Sequence, residues 1–304
     1  MRYAAAFAIA VAWIAVAGAT ERGGQSSASA STATRHPALA GAQNDATCAS
    51  CHTDITTRKV LHGPVAVGTC LRCHTLNQAG DRVAIGLANG ATSENTAPLC
   101  VTCHEDMAAR LKQAHVHAPV AAGGCTVCHD PHGSAFPFQL RAQRNEACLT
   151  CHEDVAEALR LKVLHVPAAA SCVLCHDPHA SPFPAQTRQR LNGLCLSCHA
   201  PEAFTPDDET PTGRRAWQRA LAAAGLSGSR RHIGLNAVGA AGHPVYGHPV
   251  QGVRDPLEKG RELTCVSCHN PHGAAGGALF RFGAINVSGL CIKCHSLLAM
   301  PKEP

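Results

Sequence analysis

All 18 cysteines of this 304-residue chain fall in Cys-x-x-Cys-His units, and none is left over. The units are Cys48, Cys51 and His52; Cys70, Cys73 and His74; Cys100, Cys103 and His104; Cys125, Cys128 and His129; Cys148, Cys151 and His152; Cys172, Cys175 and His176; Cys195, Cys198 and His199; Cys265, Cys268 and His269; and Cys291, Cys294 and His295. Two thiols three residues apart match a porphyrin edge, where they become thioethers on the vinyl groups while the next histidine ligates the iron. A zinc site or a disulfide framework has no need of a histidine after every second cysteine. The spacing therefore implies nine covalently attached c-type haems, with these cysteines as attachment points and these histidines as proximal ligands.

Each iron needs a second axial ligand. Of the 20 histidines, those outside the motifs are His36, His62, His115, His117, His132, His165, His179, His232, His243, His248 and His272. Met107 and Met300 are the only methionines after the start residue. Bis-histidine ligation is the economical reading, and without methionine such haems sit at low potential. His62, His115, His117, His132, His165, His179, His243, His248 and His272 lie at or beside repeat-defined positions and are the expected distal ligands. His36 and His232 are left out.

The elements that must position these groups form an array with a period of about fifty residues. Cys100-Val-Thr-Cys-His104-Glu-Asp and Cys148-Leu-Thr-Cys-His152-Glu-Asp open two successive units. A second motif closes each, running into Asp-Pro-His at His132 and His179. The first unit keeps His62 but lacks Pro-His after His74, and the fourth ends in Asn-Pro-His at His272. The implied organisation is a signal peptide at 1–19, a flexible leader at 20–45, haem units at 46–90, 91–140 and 141–187, and a fourth unit at 188–304. That last unit contains an insertion at 200–264 and the ninth site.

The expected fold is mostly irregular and α, with a few short helices, built from tandem two-haem units whose haems form the core. Acidic residues in the first turn mark helices at 105–115 and 153–164, and a third is expected at 214–224. Strands have little support, because glycine and proline are frequent and alternating β-branched runs are absent. Aromatic residues make up 4% of the chain, too few for an ordinary core. Phe136, Phe138 and Phe183 are expected against porphyrin faces, and Arg72, Arg141 and Arg188 beside propionates.

The amino terminus, with Arg2, an apolar run and Ala17-Gly18-Ala19, reads as a secretory signal. No integral membrane segment is expected in the mature chain. The formal charge of +5 suggests an anionic partner, but haem propionates would reverse it, so neither nucleic acid nor an anionic membrane is expected.

The run Cys-x-x-Cys-His-(Asp/Asn)-Pro-His with a paired Cys-x-x-Cys-His upstream resembles the doubled CxxCH multihaem cytochromes, from Cys48 to His295. The resemblance implies an electron carrier of the periplasm or cell exterior rather than an enzyme. Its partners would be redox proteins such as other multihaem cytochromes or an outer-membrane conduit, or copies of itself. The rival readings are a reductase of a small nitrogen or sulfur oxyanion and a structural subunit of an extracellular haem filament. A reductase needs an iron with an open position, whereas all nine motifs end in histidine and spare histidines outnumber the irons.

Overall fold

The computed structural model describes residues 45–79, 82–199 and 248–295. The expected signal and leader, the helix at 214–224, His36, His232 and His243 lie outside the described residues. Short helical segments alternate with extended turns, and the longest helix among the described residues, Leu191–His199, has nine residues. The strands are Val60–Leu61 (β1), His74–Ala79 (β2), Arg82–Leu87 (β3), His115–Val116 (β4), Gly133–Ser134 (β5), Val163–Leu164 (β6), Ala180–Ser181 (β7) and Gly273–Ala274 (β8). They form four antiparallel two-stranded sheets, β1 with β5, β2 with β3, β4 with β7 and β6 with β8.

Three of these sheets join neighbouring units. Val60 and Leu61 of the first unit pair with Ser134 and Gly133 of the second. His115 and Val116 of the second pair with Ser181 and Ala180 of the third. Val163 and Leu164 of the third pair with Ala274 and Gly273 of the fourth. Two residues per strand is too little to stabilise a sheet. Their effect is positional, because each pairing fixes the histidine that follows one strand beside the histidine that precedes the other.

The fourth sheet corrects the sequence reading. Residues 74–87 form a hairpin with continuous register from His74↔Leu87 to Ala79↔Arg82. A signal for it exists, since the two residues between the strands are Gly80 and Asp81, a favoured hairpin dipeptide. The helices expected at 105–115 and 153–164 are present but shorter, Glu105–Arg110 and Glu153–Ala158. Each stops early because the chain must become extended to enter β4 or β6.

Apolar burial is slight. The buried apolar residues among those described are Val83, Leu174, Leu194 and Leu263 with three alanines, while Val127, Phe138, Val166 and Ile285 are more than half exposed. Burial of this extent does not offset the conformational entropy of a chain this long. No helix among the described residues is long and apolar enough to cross a membrane.

Candidate metal centres

Within most motifs one helical turn explains the spacing. The backbone N–H of the motif histidine donates to the carbonyl of the first cysteine at 2.9–3.1 Å in the units ending at His52, His104, His129, His152, His176, His269 and His295. Residues i, i+3 and i+4 of such a turn share a face, so both thiols and the imidazole point the same way. His74 departs from this by opening β2. None of the 18 cysteines is paired in a disulfide.

The thiols also place the motifs relative to one another. Within each unit the first cysteines are neighbours: Cys48 and Cys70, Cys100 and Cys125, Cys148 and Cys172, and Cys195 and Cys265 feel each other's charge. Between units the second cysteines are neighbours: Cys73 and Cys103, Cys128 and Cys151, Cys175 and Cys198, Cys268 and Cys294 feel each other's charge. The nine motifs are thus joined in chain order by alternating first-cysteine and second-cysteine junctions. In three of the first-cysteine pairs the downstream thiol, Cys125, Cys172 or Cys265, is the one held down, whereas burial pushes Cys70 of the first pair up. Cys125 is held down at about 6 by Cys100, and Cys172 at about 7 by Cys148.

Histidines outside the motifs come to lie opposite motif histidines. The ring pairs are His62 with His104 at 6.0 Å between centroids, His74 with His132 at 5.8 Å, His117 with His152 at 5.9 Å, His129 with His179 at 6.1 Å, His165 with His199 at 6.1 Å and His176 with His272 at 6.2 Å. Their planes differ by 10° to 27°. His248 and His295 form a seventh pair at 6.3 Å and 74°. Rings stacked in contact would lie about 3.5–4.0 Å apart. Two imidazoles sharing one metal ion at about 2 Å from each nitrogen have centroids about 6.3 Å apart. The spacing therefore fits a shared ion and not a stack. Among the described residues no group of three or more metal-ligating side chains converges. Paired imidazoles alone suit an iron whose equatorial positions are filled by a porphyrin.

Every pair except the last crosses between units, and the small sheets are the cause. Where β1 meets β5, the His62 N–H donates to the His132 carbonyl at 3.4 Å, and the His62 Nδ1 lies 3.0 Å from the Pro131 carbonyl. The β4–β7 junction repeats this with His117 to His179 at 2.9 Å and Nδ1 to Pro178 at 3.1 Å. The β6–β8 junction repeats it again with His165 to His272 at 3.4 Å and Nδ1 to Pro271 at 2.9 Å. A carbonyl only accepts, so the proton sits on Nδ1 and Nε2 is left for a metal. Extended backbone at His62, His117 and His165, followed by a helix with Pro in its first turn, holds each ring outward.

The Pro-His histidines are set differently. The side-chain oxygens of Asp130, Asp177 and Asn270 accept the backbone N–H of His132, His179 and His272 at 3.0–3.1 Å, an Asx turn closed over the intervening proline. Burial, then the facing imidazole, holds His132, His165 and His272 below the ordinary imidazole value. Burial also depresses His179 and His199, and the neutral form that results is the ligating one.

Motif histidines in the second position of a unit find their own acceptors. The Nδ1 of His129 lies 2.8 Å from the Phe138 carbonyl, that of His176 2.8 Å from Ala185 and that of His269 2.6 Å from Ala278. These carbonyls are aimed by consecutive left-handed residues, Phe138 and Gln139, Ala185 and Gln186, Ala278 and Leu279, with φ of 50° to 60°. Such non-glycine conformations cost about 1–3 kcal/mol each and persist where the surroundings over-determine them.

Two ion clusters escaped the sequence reading. Arg58 donates to Asp130 at 2.7 Å, and Arg110 donates to both oxygens of Asp177 at 2.8 and 2.9 Å. Arg188 stands 3.7 Å from Asp177. Burial works to raise the Asp177 carboxyl, but the His179 N–H and the two guanidiniums outweigh it and hold it below the usual range. Arg141 and Arg188, expected beside propionates, also donate to the Thr126 and Val173 carbonyls. Arg72 is exposed, and so is Phe138, whereas Phe136 and Phe183 are half-buried.

His115 is the expected distal ligand whose ring faces no other histidine among the described residues. It lies in β4, two residues before His117, and the Pro178 carbonyl is taken by His117. His52 and His269 are placed by their motifs, with the His269 ring 5.7 Å from Phe280.

Comparison with curated proteins finds no match. A family model described as the doubled CXXCH motif matches four times, at residues 62–109, 117–157, 165–204 and 255–300, together more than half of the chain. The paired attachment motifs and the histidines facing them agree with that match, and the chain belongs to the doubled CXXCH motif family of multihaem c-type cytochromes.

Proposed function

We propose that this protein is a nonahaem cytochrome that carries electrons along a row of low-potential bis-histidine haems, in the periplasm or outside the cell. The observation that carries the reading is the set of ring pairs at 5.8–6.2 Å, each matching one motif histidine with one from outside the motifs. In these pairs His62, His117, His132, His165, His179 and His272 are the distal ligands, and His248 serves His295. His115 and His243 stand as candidates for the remaining irons. Bound haem supplies a one-electron couple at each site.

The protein's part is to hold both imidazoles, fix their tautomer and shield the pair from water. The alternation of cysteine junctions supports a wire whose haem order is the chain order, with ends at Cys48/Cys51 and Cys291/Cys294. Its natural partners would then be redox proteins docking at those ends, and two ligands on each iron favour a carrier over a reductase.

Intact-mass analysis of the purified protein should show nine haems. Low-temperature EPR of the oxidised form should be wholly low-spin, and the reduced form should not bind CO. A stoichiometric high-spin haem that binds CO would replace the carrier with a reductase.

A further inference from the structure

Counting the nine motifs in chain order, so that those ending at His74, His129, His176 and His269 are sites two, four, six and eight, we propose that the haem held by Cys70, Cys73, His74 and His132 is the most oxidising of these even-numbered sites, because His74 lacks the backbone acceptor its counterparts possess. The inference rests on the haem reading above. It starts from a polar atom: His74 Nδ1 is buried and has no hydrogen-bond partner.

The counterparts make the comparison a matched one. His129, His176 and His269 each direct Nδ1 at a carbonyl 2.6–2.8 Å away, carried by a left-handed residue in the loop that follows the motif. In all four units the chain then returns to the same place. The N–H of Ala88, Arg141, Arg188 and Arg281 donates to the carbonyl of the second motif cysteine at 2.9–3.0 Å. In the first unit the intervening segment is the β2–β3 hairpin, which carries His74 away in extended backbone. Among the described residues it turns no carbonyl toward the ring.

Site two and site four are otherwise alike. His132 and His179 both follow an aspartate and a proline, with Nδ1 3.7 and 3.9 Å from Asp130 and Asp177. Arg58 and Arg110 pair with those aspartates at 2.7 and 2.8 Å. Site four also has Arg188 3.7 Å from Asp177, a cation that favours its reduced form, so the feature that sets site two higher is the proximal Nδ1–H. A proton shared with a carbonyl makes an imidazole a stronger donor, which favours the ferric ion. Without that bond the ferrous form gains, and the potential rises.

Losing such an outer partner typically changes a metal site by 10- to 100-fold. Reduction at site two should accordingly be favoured about tenfold over site four, which is about 59 mV for one electron. A site raised in this way fills before the other even-numbered sites and delays the electron's passage, so position two would act as a store near one end of the row.

The test is spectroelectrochemical titration of the nine-haem protein beside C70A/C73A, in which site two cannot attach haem. The component missing from the variant should be the most positive of the even sites, and loss of a middle or low component would overturn the inference. A second variant replaces residues 75–87 with the sequence of 177–187, carrying Ala in place of His179, and so supplies the missing carbonyl. Its highest even-site component should fall by about tenfold in equilibrium, and an unchanged component in a fully loaded graft would overturn the inference. Mass analysis of the peptide containing Cys70 and Cys73 separates the two levels. If that peptide carries no haem in the parent protein, the functional reading fails instead.

Discussion

The junction between the second and third units and the junction between the third and fourth perform the same task with differently placed charges. Both pair two-residue strands, both send a histidine N–H to a histidine carbonyl, and both offer a proline carbonyl to Nδ1 at 2.9–3.1 Å. At the first of them Asp177 sits between Arg110 and Arg188. At the second, Asn270 replaces the aspartate, and the position equivalent to Arg110, six residues after the motif histidine, is Ala158. Arg281 there takes its carboxylate from Glu258, which also binds Arg261. The difference teaches that backbone geometry aims the distal histidines, and that charge is an addition the junction can lose when both partners change together.

That comparison can be broken by sterics first. A Cβ on Gly273 would collide with the Ala158 carbonyl, which lies against it. Gly273→Val should destabilise the fourth unit by about 3 kcal/mol, read as a lower midpoint in denaturant. Ala180→Val, at the equivalent place beyond His179, should cost less.

Charge comes next. Arg110→Ala leaves the Asp177 carboxylate, 9% exposed, with Arg188 at 3.7 Å as its one remaining arginine partner, and should cost about 2 kcal/mol. Combining it with Asp177→Asn converts this junction to the pattern of its neighbour and should restore most of the loss. A double variant no better than Arg110→Ala would mean that the two junctions are not equivalent frames.

The smaller effects sharpen the same contrast. Asn270→Ala removes the Asx turn before His272 and should cost about 1 kcal/mol, whereas Asp177→Asn keeps that turn. Because the folded Asp177 carboxyl lies below its unfolded value, its contribution is complete above the ordinary value of about 3.9 and fades as acid carries the pH below it. Acid unfolding followed against pH should therefore show the junction between the second and third units losing stability below that value, and Asp177→Asn should flatten this part of the curve.

What the sequence discloses is the chemistry carried by local spacing. The nine motifs are visible because a helical turn maps Cys, Cys and His onto one face, His117 and His165 because each stands thirteen residues after a motif histidine, and His62 because it shares the Lys-Val-Leu-His-x-Pro context of His165. Which histidine faces which motif is not legible, since each partnership crosses to another unit through a strand pair only two residues long. The ion clusters are hidden for the same reason, Arg58 and Asp130 being 72 residues apart. The hairpin at 74–87 could have been found from Gly80-Asp81, but the absence of β-branched alternation argued against it. His115 and His117 compete for one role two residues apart, and only the position of the Pro178 carbonyl decides between them.

The crossing of each histidine pair into another unit also sets a timetable. In a chain made from its amino end, His62, His117 and His165 are already present when the motifs they face emerge, but His74, His129 and His176 must wait for theirs. His176 waits longest, because His272 arrives only after the whole insertion, about 5 to 20 s later at ordinary synthesis rates. The centre at Cys172 and Cys175 is then the last of the interior ones to close, so a shortened insertion should hasten maturation at that position more than at any other.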